Sequence, residues 1–84
     1  MIIEIGQHAR YIGDEAERFA SRRVRIVAAH LRVGDGEDDI QVVTEGEVEL
    51  TVDTQVEVQS WIEEEGRFSW VRTGVEAGEL SVSE

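Results

Sequence analysis

Few side chains in this 84-residue sequence are of types that perform chemistry. His8 and His30 are its two histidines, and it contains no cysteine. A zinc site needs three or four ligands in close geometry, so no metal site is predicted. The 19 acidic residues single out no carboxylate pair for acid–base catalysis, and no nucleophile–base pattern or phosphate-binding loop is present. The sequence therefore predicts a protein that is not an enzyme and has no cofactor.

Acidic side chains and one tryptophan are the candidates for binding a partner. Trp61 falls among the outward positions of the alternating pattern described below, and tryptophan is common at interface hot spots. Carboxylates on neighbouring strands repel each other until salt or a basic partner relieves them. The predicted partner-binding residues are Trp61, Glu45, Glu47, Glu49, Glu57, Glu63, Glu64 and Glu65. Two plainer interpretations stay open: Trp61 covers one end of the fold, and residues 63–65 form a solvated hairpin tip.

Arginine supplies all the positive charge, because lysine is absent. Residues 1–33 hold six arginines and four acids, whereas residues 34–84 hold two arginines and fifteen acids, for a net charge of −11. The predicted second contact, which would dock the acids of a neighbouring copy, comprises Arg18, Arg22, Arg23 and Arg25. A chain with this much negative charge repels nucleic acid and anionic membranes, which favours a basic protein as the partner. Solubility or adaptation to high salt is the alternative explanation for the acidity.

The elements that must position these residues are mostly strands. A capping-box pattern that begins at Asp14 predicts a short helix over residues 14–22. From residue 23 the hydrophobic period changes to two, and the adjacent pair Ile26-Val27 predicts a bulge or bend. Beyond residue 39, apolar residues occupy even positions and carboxylates odd ones, which predicts one inward and one outward face. The predicted inward set is Ile40, Val42, Val48, Leu50, Val52, Val56, Val58, Phe68, Trp70, Leu80 and Val82.

Two hairpins and a short final strand complete the predicted elements. Turns at residues 44–46 and 64–66 each end in glycine, which suits the left-handed position of a three-residue hairpin loop. The second of these turns would place Ile62 opposite Phe68. Unbroken alternation between these hairpins favours one long strand over two strands joined near Asp53. Residues 73–78 are predicted to contain a 3₁₀ turn before a last strand over 79–82.

Together these elements predict one mainly β domain over residues 1–84: a small, partly open antiparallel barrel with one short N-terminal helix. Its motifs resemble those of SH3-like (KOW-type) barrels. The segments 9–13 (ARYIG) and 19–27 (FASRRVRIV) are similar to the family's opening strand, diverging loop and G-R-x-x-x-V strand, with Ser21 in place of the usual glycine. Residues 68–71 (FSWV) and 79–82 (ELSV) resemble the family's last strands. An OB-like barrel is the second choice of fold.

The resemblance implies binding rather than chemistry, as in small phage and bacterial accessory proteins. We therefore expect a non-catalytic protein–protein interaction or assembly module, with a homo-oligomer built head to tail as one form of it. The alternative is an acidic inhibitor that mimics nucleic acid and blocks a basic, DNA- or RNA-handling target. No stretch of the sequence approaches membrane-spanning length, and the N-terminus is too polar for a signal peptide. A cytoplasmic location is predicted, or the host cytoplasm or virion if the protein is phage-encoded.

Overall fold

The ten-residue strand β3 is the centre of the fold in a computed structural model, which describes residues 1–36 and 39–82. Within those residues there are nine strands and two single-turn 3₁₀ helices. The strands are β1 (Ile2–Glu4), β2 (His8–Tyr11), β3 (Arg23–Arg32), β4 (Ile40–Val43), β5 (Glu47–Glu49), β6 (Gln55–Ile62), β7 (Arg67–Phe68), β8 (Thr73–Glu76) and β9 (Leu80–Ser81). The 3₁₀ helices are Ala16–Arg18 and Ala77–Glu79. The predicted mainly β class is confirmed.

β3 has a neighbour on both sides, and all the strand pairings are antiparallel. The larger sheet has the order β7-β6-β3-β2-β9, with β4 beside the second half of β3 and β8 beside the first half of β6. β1 and β5 form a separate two-stranded sheet. Among the described residues β8 pairs with β6 alone and β9 with β2 alone, so the larger sheet is not closed into a barrel.

The predicted bulge in β3 is confirmed. The pairing of β3 with β6 shifts register between Ile26 and Ala28, which leaves Val27 as the extra residue. A bulge reverses the alternation of side chains, so Ile26 faces the core before it and Ala29 faces the core after it. The first half of β3 pairs with β2, and its second half, after the bulge, pairs with β4.

Buried side chains from both sheets meet in one core. Ile3 and Val48, which lie directly opposite each other in the smaller sheet, pack into it together with Leu50. The larger sheet contributes Ala9, Tyr11, Val24, Ile26, Ala29, Val56, Val58, Val75 and Leu80. Burying a valine fully is worth about 1.5–3 kcal/mol relative to leaving it exposed. Both sheets thus contribute side chains to the same core, and their outer sides point away from it.

The predicted helix over residues 14–22 is wrong, since Ala16–Arg18 forms only a 3₁₀ turn. A two-turn helix is too short to be stable without tertiary packing. Here the backbone is fixed differently: the N–H of Glu15 donates to the hydroxyl of buried Tyr11 at 3.2 Å. The ring of Phe19 lies 4.6 Å from that of Tyr11, so the segment is anchored to β2 in a mostly irregular conformation.

The predicted inward set is confirmed in part. Its buried members are Val48, Leu50, Val56, Val58 and Leu80, and Val82 is partly buried against the core. The prediction is wrong for Phe68, which is partly buried but lies beside Trp61 on the side of the sheet away from the core. The prediction is wrong for four others, whose exposed fractions are 47% for Ile40, 49% for Val42, 66% for Val52 and 80% for Trp70. The reason lies in strand partners and turns, which shift these residues away from the core.

The predicted hairpin around residues 44–46 is wrong. Gly46 does adopt a left-handed conformation, with φ at 82°. However, β4 pairs with β3, and β5 pairs with β1, so the two strands that the turn joins belong to different sheets. This arrangement places Val48 opposite Ile3 in the core and leaves Ile40 on an outer face.

The second predicted hairpin is confirmed, but its register differs by one residue. Ile62 lies opposite Arg67, so residues 63–66 form a four-residue loop that closes with the N–H of Gly66 donating to the carbonyl of Ile62 at 2.9 Å. Trp61 therefore lies opposite Phe68 on the same face. The predicted pairing of Ile62 with Phe68 fails because the loop is one residue longer.

The favoured long strand across residues 48–58 is also wrong, because a tight turn separates β5 from β6. The N–H of Thr54 donates to the carbonyl of Thr51 at 3.1 Å, and the N–H of Thr51 donates to the Thr54 hydroxyl at 2.9 Å. A threonine side chain thus stabilises a turn that contains no glycine. The predicted 3₁₀ turn and final strand are confirmed as Ala77–Glu79 and β9.

Candidate partner-binding surface

The outer side of the larger sheet carries an alternating group of cations and rings. In β2 and β3 the inward residues alternate with outward ones, so His8, Arg10, Arg23 and Arg25 share the side opposite to the core. Trp61 from β6 and Phe68 from β7 extend the same side. We call these six residues, His8, Arg10, Arg23, Arg25, Trp61 and Phe68, the arginine–aromatic face.

The rings and guanidinium groups of this face interleave. The ring centroids of Trp61 and Phe68 lie 5.1 Å apart at an interplanar angle of 73°, and the centroid of His8 also lies 5.1 Å from that of Phe68. The Arg23 guanidinium carbon lies 4.6 Å from the Trp61 centroid, and that of Arg25 lies 4.7 Å from the Phe68 centroid. Such stacked cations keep their charge while adding apolar contact area.

Hydrogen bonds hold the central side chains in place. Arg25 donates through Nη2 to Oε1 of the buried Gln59 at 2.7 Å. Trp61 donates through its indole nitrogen to Glu63 at 2.8 Å, and its carbonyl accepts from the Ser21 hydroxyl at the same distance. A face whose side chains are already fixed loses little conformational entropy when it binds.

Like charges lie opposite each other within this face. Arg10 lies directly opposite Arg23 across β2 and β3. Directly opposed like charges destabilise a sheet. The face therefore presents positive charge that an acidic surface would neutralise.

The outer side of the smaller sheet is acidic. Glu4 lies directly opposite Glu47, and Ile2 lies opposite Glu49. All four residues are exposed, as is Glu45 in the preceding turn. We call the group Glu4, Glu45, Glu47 and Glu49 the carboxylate face. Each face thus contains two like charges opposite each other across adjacent strands, negative in the carboxylate face and positive in the arginine–aromatic face.

The remaining acidic residues of the predicted contact lie elsewhere. Glu57 is half-buried, and its Oε2 lies 3.0 Å from Nε2 of His30. Glu63, Glu64 and Glu65 occupy the exposed β6–β7 loop, where Glu65 pairs with Arg67 at 2.7 Å. The expected row of carboxylates on neighbouring strands is wrong, because β5 and β6 belong to different sheets.

The predicted arginine cluster divides into two pairs. Arg23 and Arg25 belong to the arginine–aromatic face. Arg18 instead pairs with Glu15 at 2.7 Å and donates to the carbonyl of Gly74, while Arg22 donates to the carbonyl of Tyr11 at 2.9 Å. These two arginines fix the loop between β2 and β3.

Sequence reasoning missed three members of the arginine–aromatic face: His8, Arg10 and Phe68. His8 and Arg10 alternate with the buried Ala9 and Tyr11, and this pattern was available as evidence that they point outward. Phe68 was assigned to the core because the loop before it was taken to be one residue shorter. The predicted contacts placed Trp61 and the arginines in separate groups, whereas Arg23 and Arg25 lie on the same face as Trp61.

Trp70 extends this region as an exposed side chain. The Arg67 guanidinium carbon lies 5.3 Å from its ring centroid, and Gln59 donates to its carbonyl at 3.5 Å. Since Gln59 also binds Arg25, Trp70 lies next to the arginine–aromatic face. A large exposed ring at this position adds apolar area for a partner.

No cluster of three or more histidine, aspartate or glutamate side chains suited to a metal ion occurs in residues 1–36 and 39–82. The same residues contain no helix of the length and apolarity that a membrane crossing requires. Comparison with known proteins finds no matching family model, curated protein or solved structure. What the chain binds must therefore be inferred from its own surface chemistry.

Proposed function

We propose that the chain is a non-catalytic protein–protein interaction and assembly module, in which the arginine–aromatic face of one copy binds the carboxylate face of the next. The proposal rests on one observation: the outer faces of the two sheets are oppositely charged, and each contains a like-charge pair across adjacent strands. Such a pair costs up to about 1 kcal/mol while it has no partner. Docking one face on the other relieves both repulsions.

The direction of the two faces sets the form of the assembly. They are different surfaces of one copy, on the outer sides of two sheets that share a core, so the contact is heterologous: each copy offers a different surface to each of its neighbours. A heterologous contact closes into a ring if the rotation between copies permits, and otherwise extends as a filament. The expected module is therefore a small structural or accessory protein.

The arginine–aromatic face also has the residue types that carry binding energy at interfaces. Tryptophan and arginine are enriched among hot spots, which cluster where rings are packed and water is excluded. Trp61 and Phe68 are half-buried and stacked with arginine, which favours such a role. The charged residues around them would steer the encounter and set which way the copies meet.

The strand order supports an SH3-like, partly open barrel as the architecture of this module. The open sheet β9-β2-β3-β6-β8 places the final strand beside the first strand of that sheet, with the 3₁₀ helix Ala77–Glu79 joining β8 to β9. This order follows the outline of the resemblance: a short strand, a diverging loop, a long strand and a late turn. We place the module in the cytoplasm, or in the virion if it is phage-encoded.

Paired charge reversals test the head-to-tail contact. Arg10→Glu/Arg23→Glu reverses one face and Glu4→Arg/Glu47→Arg reverses the other. In sedimentation velocity at low salt, we expect the wild type to associate and each variant to associate at least about ten-fold more weakly. An equimolar mixture of the two variants should recover association, because the unmodified carboxylate face of the first variant can bind the unmodified arginine–aromatic face of the second, and the two reversed faces are also complementary.

Arg72→Glu/Glu64→Arg is the matched control, since it reverses the charge of exposed residues outside both faces. It should associate like the wild type. A wild type that stays monomeric at about millimolar concentration, where even weak contacts of roughly 4 kcal/mol are populated, would refute the assembly proposal.

The carboxylate face supports the second candidate, an acidic inhibitor that mimics nucleic acid. Glu4 opposite Glu47, with Glu45 and Glu49 close by in sequence, gives a cluster of repelling carboxylates that a basic target would relieve. This candidate predicts a monomer that binds a DNA- or RNA-handling protein. Glu4→Arg/Glu47→Arg would abolish that binding, and Arg10→Glu/Arg23→Glu would leave it unchanged.

A further inference from the structure

The free edge of β4 is a site of a different kind from the two charged faces. β4 pairs with β3 on one side, and no described residue pairs with its other side. Its four residues, Ile40, Gln41, Val42 and Val43, carry no charge in a chain of net charge −11. An uncharged edge strand is an open template for another strand.

The hydrogen-bonding groups on this edge can be assigned from the ladder with β3. The N–H of Val33 donates to the carbonyl of Asp39 at 2.8 Å. Hydrogen-bonded and non-hydrogen-bonded pairs alternate along an antiparallel ladder, so Gln41 and Val43 also direct their backbone groups to β3. Ile40 and Val42 therefore direct their N–H and C=O groups to the free edge.

The side chains of β4 are apolar on both faces. Val43 packs against the core, whereas Ile40 and Val42 lie on the outer side and are about half exposed. Strands with apolar residues on both faces are typical of positions that are covered on both sides of a sheet. Among the residues that the structure describes, only one face of β4 is covered.

Other strand edges in the described residues are protected. In β1, the N–H of Glu4 donates to Oε1 of Gln7, and the carbonyl of Glu4 accepts from the N–H of Gln7. β5 carries Glu47 and Glu49, and acidic side chains along an edge oppose pairing. β7 and β9 have only two residues each. In β8, the carbonyl of Gly74 already accepts a hydrogen bond from Arg18. β4 combines the length, the apolar side chains and the absence of charge that strand addition needs.

We propose that β4 pairs with β4 of a second copy, antiparallel and about a twofold axis, so that the larger sheet continues across two chains. A continuous sheet keeps each side chain on its own face, which requires the two residue numbers of a pair to have an even sum. The register that centres the pairing on β4 places Gln41 opposite Gln41 of the second copy. Ile40 then lies opposite Val42 of the second copy.

In this register, the N–H and C=O groups that Ile40 and Val42 direct to the free edge all find hydrogen-bond partners. Ile40 and Val42, whose backbone groups point to the free edge, exchange hydrogen bonds with Val42 and Ile40 of the second copy. Their side chains form two apolar pairs on the outer face. Neither pair brings carboxylates together, which matters because the rest of the chain is strongly acidic. The free edge of β4 is therefore complementary to the same edge of a second copy.

A single cysteine tests the register directly, because the natural chain contains none. Gln41 opposite Gln41 is a non-hydrogen-bonded pair, in which Cα atoms are about 4.5 Å apart, and this separation suits a disulfide. We expect Gln41→Cys to form a covalent dimer under mild oxidation at least about ten-fold faster than Val52→Cys, because pairing raises the local thiol concentration. Val52 is an exposed valine outside β4 and serves as the control.

The experiment should be run at about 0.5 M NaCl, where the head-to-tail contact between charged faces is largely screened. Urea should abolish the difference between the two cysteine variants. Equal oxidation rates for Gln41→Cys and Val52→Cys in the folded protein would overturn the proposal. That result would leave the charged-face assembly untouched, since its charge-reversal test uses other residues and low salt.

A second variant tests the backbone pairing without cysteine. Val42→Pro removes an N–H that points to the free edge, and proline is tolerated on an edge strand when its missing N–H faces solvent. In sedimentation at about 0.5 M NaCl, Val42→Pro should weaken dimerisation at least about ten-fold, whereas Val52→Pro, at an exposed position in the turn between β5 and β6, should not. Equal dimerisation of Val42→Pro and the wild type would contradict the strand pairing.

Discussion

Trp61 illustrates how a half-buried side chain on an outer face can be fixed before it binds a partner. Its indole nitrogen binds Glu63, its carbonyl binds Ser21, and its ring lies between Phe68 and the guanidinium of Arg23. These contacts restrict the ring before any partner arrives, so little rotamer entropy remains to be lost on binding. A ring of this kind is a candidate anchor for the proposed contact.

Truncation of this side chain should weaken association strongly. We expect Trp61→Ala to cost about 2 kcal/mol or more, or roughly 30-fold in affinity, in sedimentation at low salt. Val52→Ala, which shortens an exposed apolar side chain outside the face, is the control and should change affinity little. Circular dichroism should show both variants folded. If Trp61→Ala associates like the wild type, the ring lies outside the contact.

At the scale of elements, two turns depend on glycine for their backbone conformation. Gly46 and Gly66 have φ values of 82° and 63°, in the left-handed region. A Cβ at either position would meet no atom within 4 Å. The need for glycine there is therefore conformational and not steric. Gly74 also has open space around its missing Cβ, but its φ is not positive.

This contrast predicts opposite outcomes for two alanine substitutions. Gly66→Ala should destabilise the protein by about 1–2 kcal/mol, because a Cβ is unfavourable at positive φ. Gly74→Ala should be neutral or stabilise by up to about 1 kcal/mol, because it restricts the unfolded chain without strain in the folded one. Urea denaturation measures both free energies of unfolding. An equal loss in the two variants would contradict the assignment of Gly66 as the residue that requires the left-handed conformation.

At the scale of the whole molecule, the distribution of charge opposes the folded state. The net charge is −11, and folding places Glu4 against Glu47 and Arg10 against Arg23. Salt shortens the range of these repulsions, to about 10 Å at 0.1 M and about 3 Å at 1 M. The monomer should consequently be more stable in salt, although salt weakens the proposed head-to-tail contact.

A pair of neutralised glutamates tests this account. We expect the free energy of unfolding to rise with NaCl, and Glu4→Gln/Glu47→Gln to add up to about 1 kcal/mol at low salt. That variant should also respond less to salt. Glu17→Gln/Glu64→Gln makes the same change of charge in exposed residues that lie outside both faces and have no strand partners among the described pairings, so it should stabilise less. Equal stabilisation by both pairs would assign the effect to net charge alone.

Features set by neighbouring residues could be predicted from the sequence. Alternation identified β6 and its buried Val56 and Val58, the adjacent Ile26-Val27 identified the bulge in β3, and Gly66 identified the hairpin turn. Each depends on the geometry of a few consecutive residues. The outward position of Trp61 followed from the same alternation.

The choice of strand partners was decided only by the tertiary structure. Val48 is buried whether β5 pairs with β4 or with β1, so alternation does not distinguish these arrangements, and Ile3 provides the better-buried partner. The extra residue in the β6–β7 loop then brings Phe68 to Trp61, and β2 adds His8 and Arg10 beside the arginines of β3. Alternation says which side of a strand a residue occupies. Which strands lie side by side depends on the burial of side chains that are distant in the sequence. The resulting strand order brings the residues of the arginine–aromatic face together.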